Sequence, residues 1–384
     1  NGKAEQLKET TTSGFGSTVE GVETNTSYFF NSATDNNGTT LLVYRGGSNY
    51  GVAIVLTYTG TTITAGTPTV FESSTSQYPT VSYDTAEDKY LICWQDYSNN
   101  NLDGIVATVS GSSVSFGTKS TADTDTAYKP INSIYVADDS KHTVVFSGSA
   151  SIPYYVVASL SGTSITWGSS TSLGFSNPGS INNQNVVYND DSNIYIFGVY
   201  TSDSTNFLYR FKGGTLSGTT FSFGSEVTQD GYPSSSTDVE MAYNSANTNV
   251  FTVYKKYDDG NKLYSNVITN SGTTLTLGTE QDLSLTGTPA YGLVSTTSGK
   301  LAFLLNDYTN SQNSLFTGTA GASSVTWDSA LQFDSDQSTE GMVQSFDSGQ
   351  GVLIISWQAD ATSDLDVRGY EISGTNLTAE NFIG

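Results

Sequence analysis

The side chains best suited to catalysis are nearly missing from this chain. It has one histidine, His142, one cysteine, Cys93, and three arginines, Arg45, Arg210 and Arg368. Zinc sites draw on several Cys or His ligands, and Ser-His or Cys-His catalysis needs a positioned imidazole. His142 stands in register with Tyr90 at the start of a strand and reads as a strand-surface residue. A single cysteine excludes an internal disulfide framework. Carboxylates are plentiful, with 37 Asp and Glu against 14 Lys and Arg. Paired carboxylates can hydrolyse glycosidic bonds, so composition leaves that chemistry open. The loops Asp96 to Asp103 and Tyr257-Asp-Asp-Gly-Asn261 offer oxygen ligands for calcium. Neither has EF-hand spacing, and Asp and Asn are ordinary turn formers. No metal, no cofactor and no catalytic residue is expected.

Side chains suited to recognition are abundant. The chain has 24 Tyr and 18 Phe. Tyr50, Tyr78, Tyr97, Asn99, Tyr128, Tyr154, Asn206, Tyr232, Tyr257 and Tyr308 are the candidate binding residues. Tyr offers a large rigid contact at low entropy cost, and Asn adapts its hydrogen bonds. What groups them is their place in a repeat.

A tight-turn phrase recurs along the chain. Clear copies are Gly60-Thr-Thr-Ile-Thr-Ala-Gly66, Gly111-Ser-Ser-Val-Ser-Phe-Gly117, Gly162-Thr-Ser-Ile-Thr-Trp-Gly168, Gly218-Thr-Thr-Phe-Ser-Phe-Gly224 and Gly272-Thr-Thr-Leu-Thr-Leu-Gly278. Ala322-Ser-Ser-Val-Thr-Trp-Asp328 is weaker and Gly374-Thr-Asn-Leu-Thr378 is degraded. The apolar residues after the turns, Ile63, Val114, Ile165, Phe221, Leu275, Val325 and Leu377, step by 51, 51, 56, 54, 50 and 52. A second marker, Phe30, Tyr83, Tyr135, Tyr188, Tyr243, Val294 and Phe346, steps by 53, 52, 53, 55, 51 and 52.

Within a unit, Val114 and Phe116, or Ile165 and Trp167, alternate with Ser and Thr, the period of a half-buried strand. No long helical stripe appears. Each unit reads as four antiparallel strands, A to D. In the second unit these are Pro79–Tyr83, Lys89–Gln95, Gly104–Ser110 and Val114–Ser120. The expected fold is therefore all-β, a seven-bladed β-propeller with four antiparallel strands per blade. Blade units start near residues 27, 79, 130, 182, 238, 289 and 340 within a domain spanning 14–376. Six full D strands serve seven A-B-C sets. Gly14-Phe-Gly-Ser-Thr-Val19 resembles Thr64-Ala-Gly-Thr-Pro-Thr69, so an N-terminal strand is expected to complete the last blade. That would close the ring and leave no sheet edge. Residues 1–13 read as a linker from an upstream region, and 377–384 as an exit segment toward a downstream one.

Strand direction puts the C–D turns on one face of such a disc and the B–C and D–A connections on the other. The C–D turns are nearly uniform, as tight hairpins with Gly at positive φ should be. The opposite connections differ in every unit and carry the Tyr and Asn residues named above. That diversified face is the expected binding surface.

The net charge of −23 repels phosphate backbones and excludes nucleic acid as a partner. No apolar run has the length of a membrane span, so membrane insertion is not expected. Sialidase-like propellers carry a Ser-x-Asp-x-Gly-x-Thr-Trp box and three site arginines. Thr166-Trp167 and Thr326-Trp327 match only its end, and Arg210 lies across the ring from Arg45 and Arg368. Kelch modules need paired glycines that are isolated here, at Gly46-Gly47 and Gly213-Gly214.

The repeat resembles one in tail-fibre-like and other virion proteins of marine bacteriophages. The residues that carry the resemblance are Ala65-Gly-Thr-Pro-Thr-Val-Phe71, Tyr78-Pro-Thr-Val-Ser-Tyr-Asp84 and Leu91-Ile-Cys-Trp94, with Asn376-Leu-Thr-Ala-Glu-Asn-Phe-Ile-Gly384 like the phrase that leaves such an array. It is close in the first two units and loose in the fourth to sixth. The resemblance implies a virion component at the tail or host-facing surface, present in several copies beside other virion proteins. The expected function is adhesion, with the diversified face binding a host-surface glycan or protein. A structural collar, nozzle or decoration disc is the alternative, and a glycan-degrading hydrolase a further one. The resemblance transfers no catalytic residue.

Overall fold

Strand B of each unit is buried along nearly its whole length and strand C over its middle, and the reason is packing on both faces. Lys89–Asp96 carries Tyr90, Leu91, Ile92, Cys93 and Trp94, all essentially buried. A strand that faced solvent on one side would alternate, as Ser113–Phe116 in an outer position does. The computed structural model describes residues 28–383 except 60–61, 126–130, 149, 177–179, 203–206, 232–238, 257–258, 290–291, 297–298, 308–311, 335–340, 359–364 and 374–375. All regular elements among the described residues are strands, arranged in antiparallel sheets.

In the first unit, Tyr28–Thr34 (A) pairs Thr39–Arg45 (B), which pairs Gly51–Thr59 (C). Two short strands, Thr62–Ala65 and Thr69–Glu72, then both pair C. Strand D is thus broken in two, where the sequence suggested one continuous strand. The second unit repeats the break, with Ser113–Phe116 and Ser120–Asp123 both on Asn101–Ser110. Other inner A strands are Ser76–Asp84, Asn132–Val136, Ser180–Asn189, Val239–Asn244, Val294–Ser295 and Met342–Asp347. Strand pairing aligns Thr34 and Ser295, rather than Phe30 and Val294, with Tyr83, since each of the three faces the second residue of its strand B. Between the fifth and sixth units the strand Gln281–Pro289 pairs both sheets and joins them into one.

The break in strand D explains the second glycine of the turn phrase. The first glycine, as at Gly111 and Gly162, has φ of +58° and makes the C–D hairpin. The second sits where the next unit's hairpin presses in. A Cβ at Gly66 would stand 2.0 Å from the Ser112 carbonyl oxygen, and one at Gly117 would stand 2.5 Å from that of Thr163. The same holds for Gly224 and Thr273, at 2.2 Å. The first four sheets each accept the turn of the next.

The core is a series of apolar layers between adjacent sheets. Leu41, Val55 and Phe71 of the first unit meet Val81, Ile92 and Trp94 of the second. Leu91, Phe146 and Val156 join the second and third. One layer joins the first unit to the last, through Phe30, Leu42 and Ile54 against Val343, Ile354 and Val367. Inner strands contact their neighbours in order, and Tyr28–Thr34 also contacts Met342–Asp347.

Polar clasps reinforce these layers on the turn face. Asp84 ends strand A and caps its turn by accepting Ala86 N and Glu87 N at 2.9 and 3.0 Å. Its other oxygen lies 3.3 Å from His142 Nε2 in the third unit, whose Nδ1 lies 2.8 Å from Ser82 Oγ. His142 is fully buried, not on a strand surface as its sequence position suggested. Strand B is interior, so even its first residues are covered by the neighbouring sheet. Burial holds the imidazole below its ordinary pKa, against the pull of Asp84. A neutral ring donating from Nε2 and accepting from Ser82 satisfies both partners. Asp347 of the last unit plays the same part toward the first. It accepts Gln350 N at 2.8 Å in its own turn, and Gly38 N at 2.8 Å together with the Tyr58 hydroxyl across the seam.

The chain's last described strand, Asn376–Ile383, pairs Leu365–Ser373 beside Val352–Gln358. It takes the place next to strand C for which the N-terminal segment was expected, and residues 377–383 form a sheet strand rather than an exit. The stretch 14–19 lies outside the described residues.

Candidate functional site

The B–C connections of the first two units and the crossover between them form one continuous patch. Residues 46–50 turn tightly, with Gly46 N donating to Tyr50 O at 2.9 Å. The crossover 73–75 is pinned on both sides, by Ser76 N to Asn49 O at 2.9 Å and Tyr97 N to Thr75 O at 3.0 Å. Asn49 and Asn100 take positive φ at the loop bends, a conformation Asn tolerates. The backbone therefore holds Tyr50 and Tyr97 on either side of one strip.

Both rings face solvent. Tyr50 is 40% and Tyr97 is 52% exposed, and with Val70 they are the large apolar side chains exposed among the described residues. Asn99 is exposed beside them, and its Nδ2 donates to Asp96 Oδ2 at 2.9 Å. Asp96 also accepts Ser98 N at 3.0 Å, so it shapes the loop that presents Tyr97.

Beneath this loop lies a charged strut across the seam. Lys119 Nζ stands 2.8 Å from Glu72, 3.2 Å from Asp103 and 3.6 Å from Asp96. The three carboxylates are buried, and oxygens from all three lie within 4.8 Å of one another. Asp103 also accepts the Thr121 hydroxyl at 2.6 Å. Burial alone would raise the Glu72 pKa, but Lys119 and Ser74 N outweigh it and hold the carboxyl below its ordinary value. Lys119 is pushed up by Glu72 and Asp103 despite its own partial burial. A general acid needs the opposite, a carboxyl kept protonated by its surroundings. The arrangement suits structural pairing and hydrogen-bond acceptance. Three close oxygens also suit a cation, a position that the Lys119 ammonium fills.

The other sequence candidates divide. Tyr78 is half-buried at the inner strand, with its ring 4.2 Å from Phe29, and lines a cavity on the axis rather than the loop surface. Tyr154 packs on Phe146 at 5.9 Å, against the apolar layer between the second and third units, so its ring contributes to the core instead of the loop surface. Tyr128, Asn206, Tyr232, Tyr257 and Tyr308 lie outside the described residues. Sequence reasoning missed Glu72 and Lys119 altogether. Their partners come from different units, 47 residues apart for that pair, and no local spacing signals such a contact.

No family model matches the chain, and no curated protein matches it. Solved structures do. The periplasmic gluconolactonase of Pseudomonas aeruginosa matches with a TM-score of 0.56 at 10% identity, over 92% of this chain and 93% of that one. A polysaccharide lyase, an ulvan lyase bound to a sugar fragment, matches at 0.53 and 10%, over 92% and 96%. The Aleuria aurantia lectin, in complex with a methyl fucoside, matches at 0.50 and 12%, over 79% and 93%. At these identities the likeness is one of fold. The chain is all-β, with sheets of antiparallel strands arranged as in β-propellers.

Proposed function

We propose that this propeller chain closes as a ring of seven blades and that its loop face binds carbohydrate on a host cell surface. Closure is supported by the apolar layer between the first and last units and by the Asp347 clasp. The observation that carries the binding reading is the pair Tyr50 and Tyr97, exposed on either side of one pinned crossover. Aromatic faces stack on the C–H faces of sugar rings, while Asn and carboxylate oxygens accept sugar hydroxyls. Asn99, exposed in the same patch, supplies such an acceptor in its side-chain carbonyl.

The setting we propose is a bacteriophage virion, as a tail-fibre-type adhesin among other virion proteins. This rests on the sequence resemblance. Several copies per particle would turn weak single contacts into firm attachment. The test of binding is a glycan array probed with the chain displayed multivalently, beside Tyr50→Ala, Tyr97→Ala and the double variant. Binding that falls at least tenfold in the double variant supports the site. Equal binding by the double variant, or none by the parent, removes it. Localising the chain in intact particles tests the setting.

A further inference from the structure

The axis of the molecule holds a cavity of about 250 Å³, lined by residues from strand A of every unit. It is separate from the Tyr50 and Tyr97 patch. The lining residues come from the start and middle of the inner strands and leave out their last residues at the turn face.

Two features of its mouth are unusual. Phe29 and Tyr78 adopt φ of +55° and +49°, and they are the aromatic residues in that region of φ among the described non-glycine residues. Such a backbone disfavours bulky side chains and persists only where the surroundings enforce it. Both residues sit in β-bulges, which re-aim side chains. Here both rings turn to the cavity, with centres 4.2 Å apart and planes tilted by 42°. Arg45 fixes the pair from behind, with its guanidinium 4.7 Å from the Phe29 ring centre and its Nη1 donating to Gln77 at 2.7 Å.

The cavity wall is rich in acceptors. Among the described lining residues Glu240 is the one carboxylate, and none is Lys, Arg or His. Glu240 accepts Gly292 N at 2.8 Å. Gln344 spends its amide N–H groups on the Gly292 and Ala302 carbonyls, which leaves Oε1 buried without a partner. Ser32 Oγ is likewise buried without one. Unmatched buried acceptors call for a ligand that donates hydrogen bonds.

We propose that this axial cavity is a second binding site, for a single neutral polyhydroxylated ring such as a monosaccharide. The volume falls below the roughly 300–1,000 Å³ of drug-sized pockets, which suits one ring and excludes an oligosaccharide. The described lining residues hold no cation to pair an anionic ligand, and Arg45 behind the aromatic pair disfavours cationic ones. Phe29 and Tyr78 supply the stacking face, while Glu240, Gln344 and Ser32 take the hydroxyl protons.

The test is saturation-transfer NMR and calorimetry on the full chain with L-fucose, D-galactose, D-glucose and D-mannose, and with choline and glucuronate as charged controls. One of the neutral sugars binds and the charged probes do not. Tyr78→Ala and Glu240→Gln each weaken it at least tenfold, while Tyr50→Ala with Tyr97→Ala leaves it unchanged. Because Gln344 also braces two strands, Ser32→Val serves as the milder variant, expected to weaken binding about threefold with unchanged unfolding. Three results would each overturn the proposal: no neutral sugar bound at tens of millimolar, choline or glucuronate preferred, or binding indifferent to Tyr78 and Glu240. The surface-patch reading fails separately, through the array and the Tyr50 and Tyr97 variants.

Discussion

The two faces of this molecule solve different problems with the same strands. On the turn face, the chain reuses one device at every seam it can. The residue just before strand B has positive φ in all seven units, at Gly38, Asp88, Ser140, Asn193, Thr248, Gly299 and Gly351. Asp84 and Asp347 each cap a turn and reach into the next unit, and Asn189 does so through Thr248 O at 3.2 Å. On the loop face the seams differ, and the one between the first two units is spanned by a lysine among three carboxylates. Uniformity marks where geometry leaves few solutions. Variety marks where the backbone is held elsewhere and side chains are free to serve recognition.

The sharpest way to break this contrast is to alter the turn face. Gly66→Val or Gly224→Val would drive a side chain into the backbone of the next hairpin. Backbone cannot step aside as a flexible side chain does, so the loss should be about 3 kcal/mol or more. Gly111→Ala, where nothing lies within 4 Å and only φ is unfavourable, should cost about 1 kcal/mol. Urea unfolding of the three variants would rank them. Equal losses at Gly66 and Gly111 would mean that the neighbouring hairpin does not seat in the strand break.

Next comes the seam between the last unit and the first. Asp347→Ala strips partners from Gly38 N and the buried Tyr58 hydroxyl, so a loss of about 2–3 kcal/mol is expected. If the ring were open there, the substitution would disturb only a surface turn and cost a few tenths. The same experiment thus measures closure and the strength of the clasp.

The loop-face strut should be weaker, because Lys119 is 43% exposed and solvent screens it. Lys119→Met should cost about 1–2 kcal/mol at neutral pH, by leaving three carboxylates together. The pH dependence follows from the directions of the shifts. Glu72 is held below its unfolded value, so its contribution is present at neutral pH and fades as pH falls through its folded value. Lys119 is held above its unfolded value, so its contribution is complete below that value and fades as pH rises through the folded one. The parent should therefore lose stability at both extremes. Lys119→Met should instead gain on mild acidification, as protonation relieves the crowding. Unfolding midpoints across pH 2 to 12 would show the two profiles.

What the sequence made legible follows the same division. The four-strand repeat and the glycine of each hairpin could be read because they recur at one spacing. The second glycine could be counted but not understood, since what it admits belongs to the following unit. His142 was misplaced for a related reason: its Lys-His-Thr context looks like a solvated strand start, and only the neighbouring sheet buries it. Of the binding candidates, Tyr50, Tyr97 and Asn99 stand where the loops predicted. Tyr78 was assigned to the right face and the wrong depth, because a bulge turns it inward. Bulges and contacts between units leave no local pattern, so those parts of the site were invisible.

The smallest expected effect on stability is the most informative about the loop face. Tyr50→Ala and Tyr97→Ala remove rings that are 40% and 52% exposed, so each should change unfolding by no more than about 0.5 kcal/mol. A buried tyrosine behaves otherwise. Tyr155 is fully buried and its hydroxyl accepts Phe221 N at 3.1 Å in the next unit, so Tyr155→Ala should cost about 3 kcal/mol or more. A near-silent change in stability joined to a large loss of glycan binding would mean that those rings are kept on the surface for a ligand. A stability cost as large as that at Tyr155 would instead return Tyr50 and Tyr97 to the scaffold, and the two faces would then differ in sequence without differing in purpose.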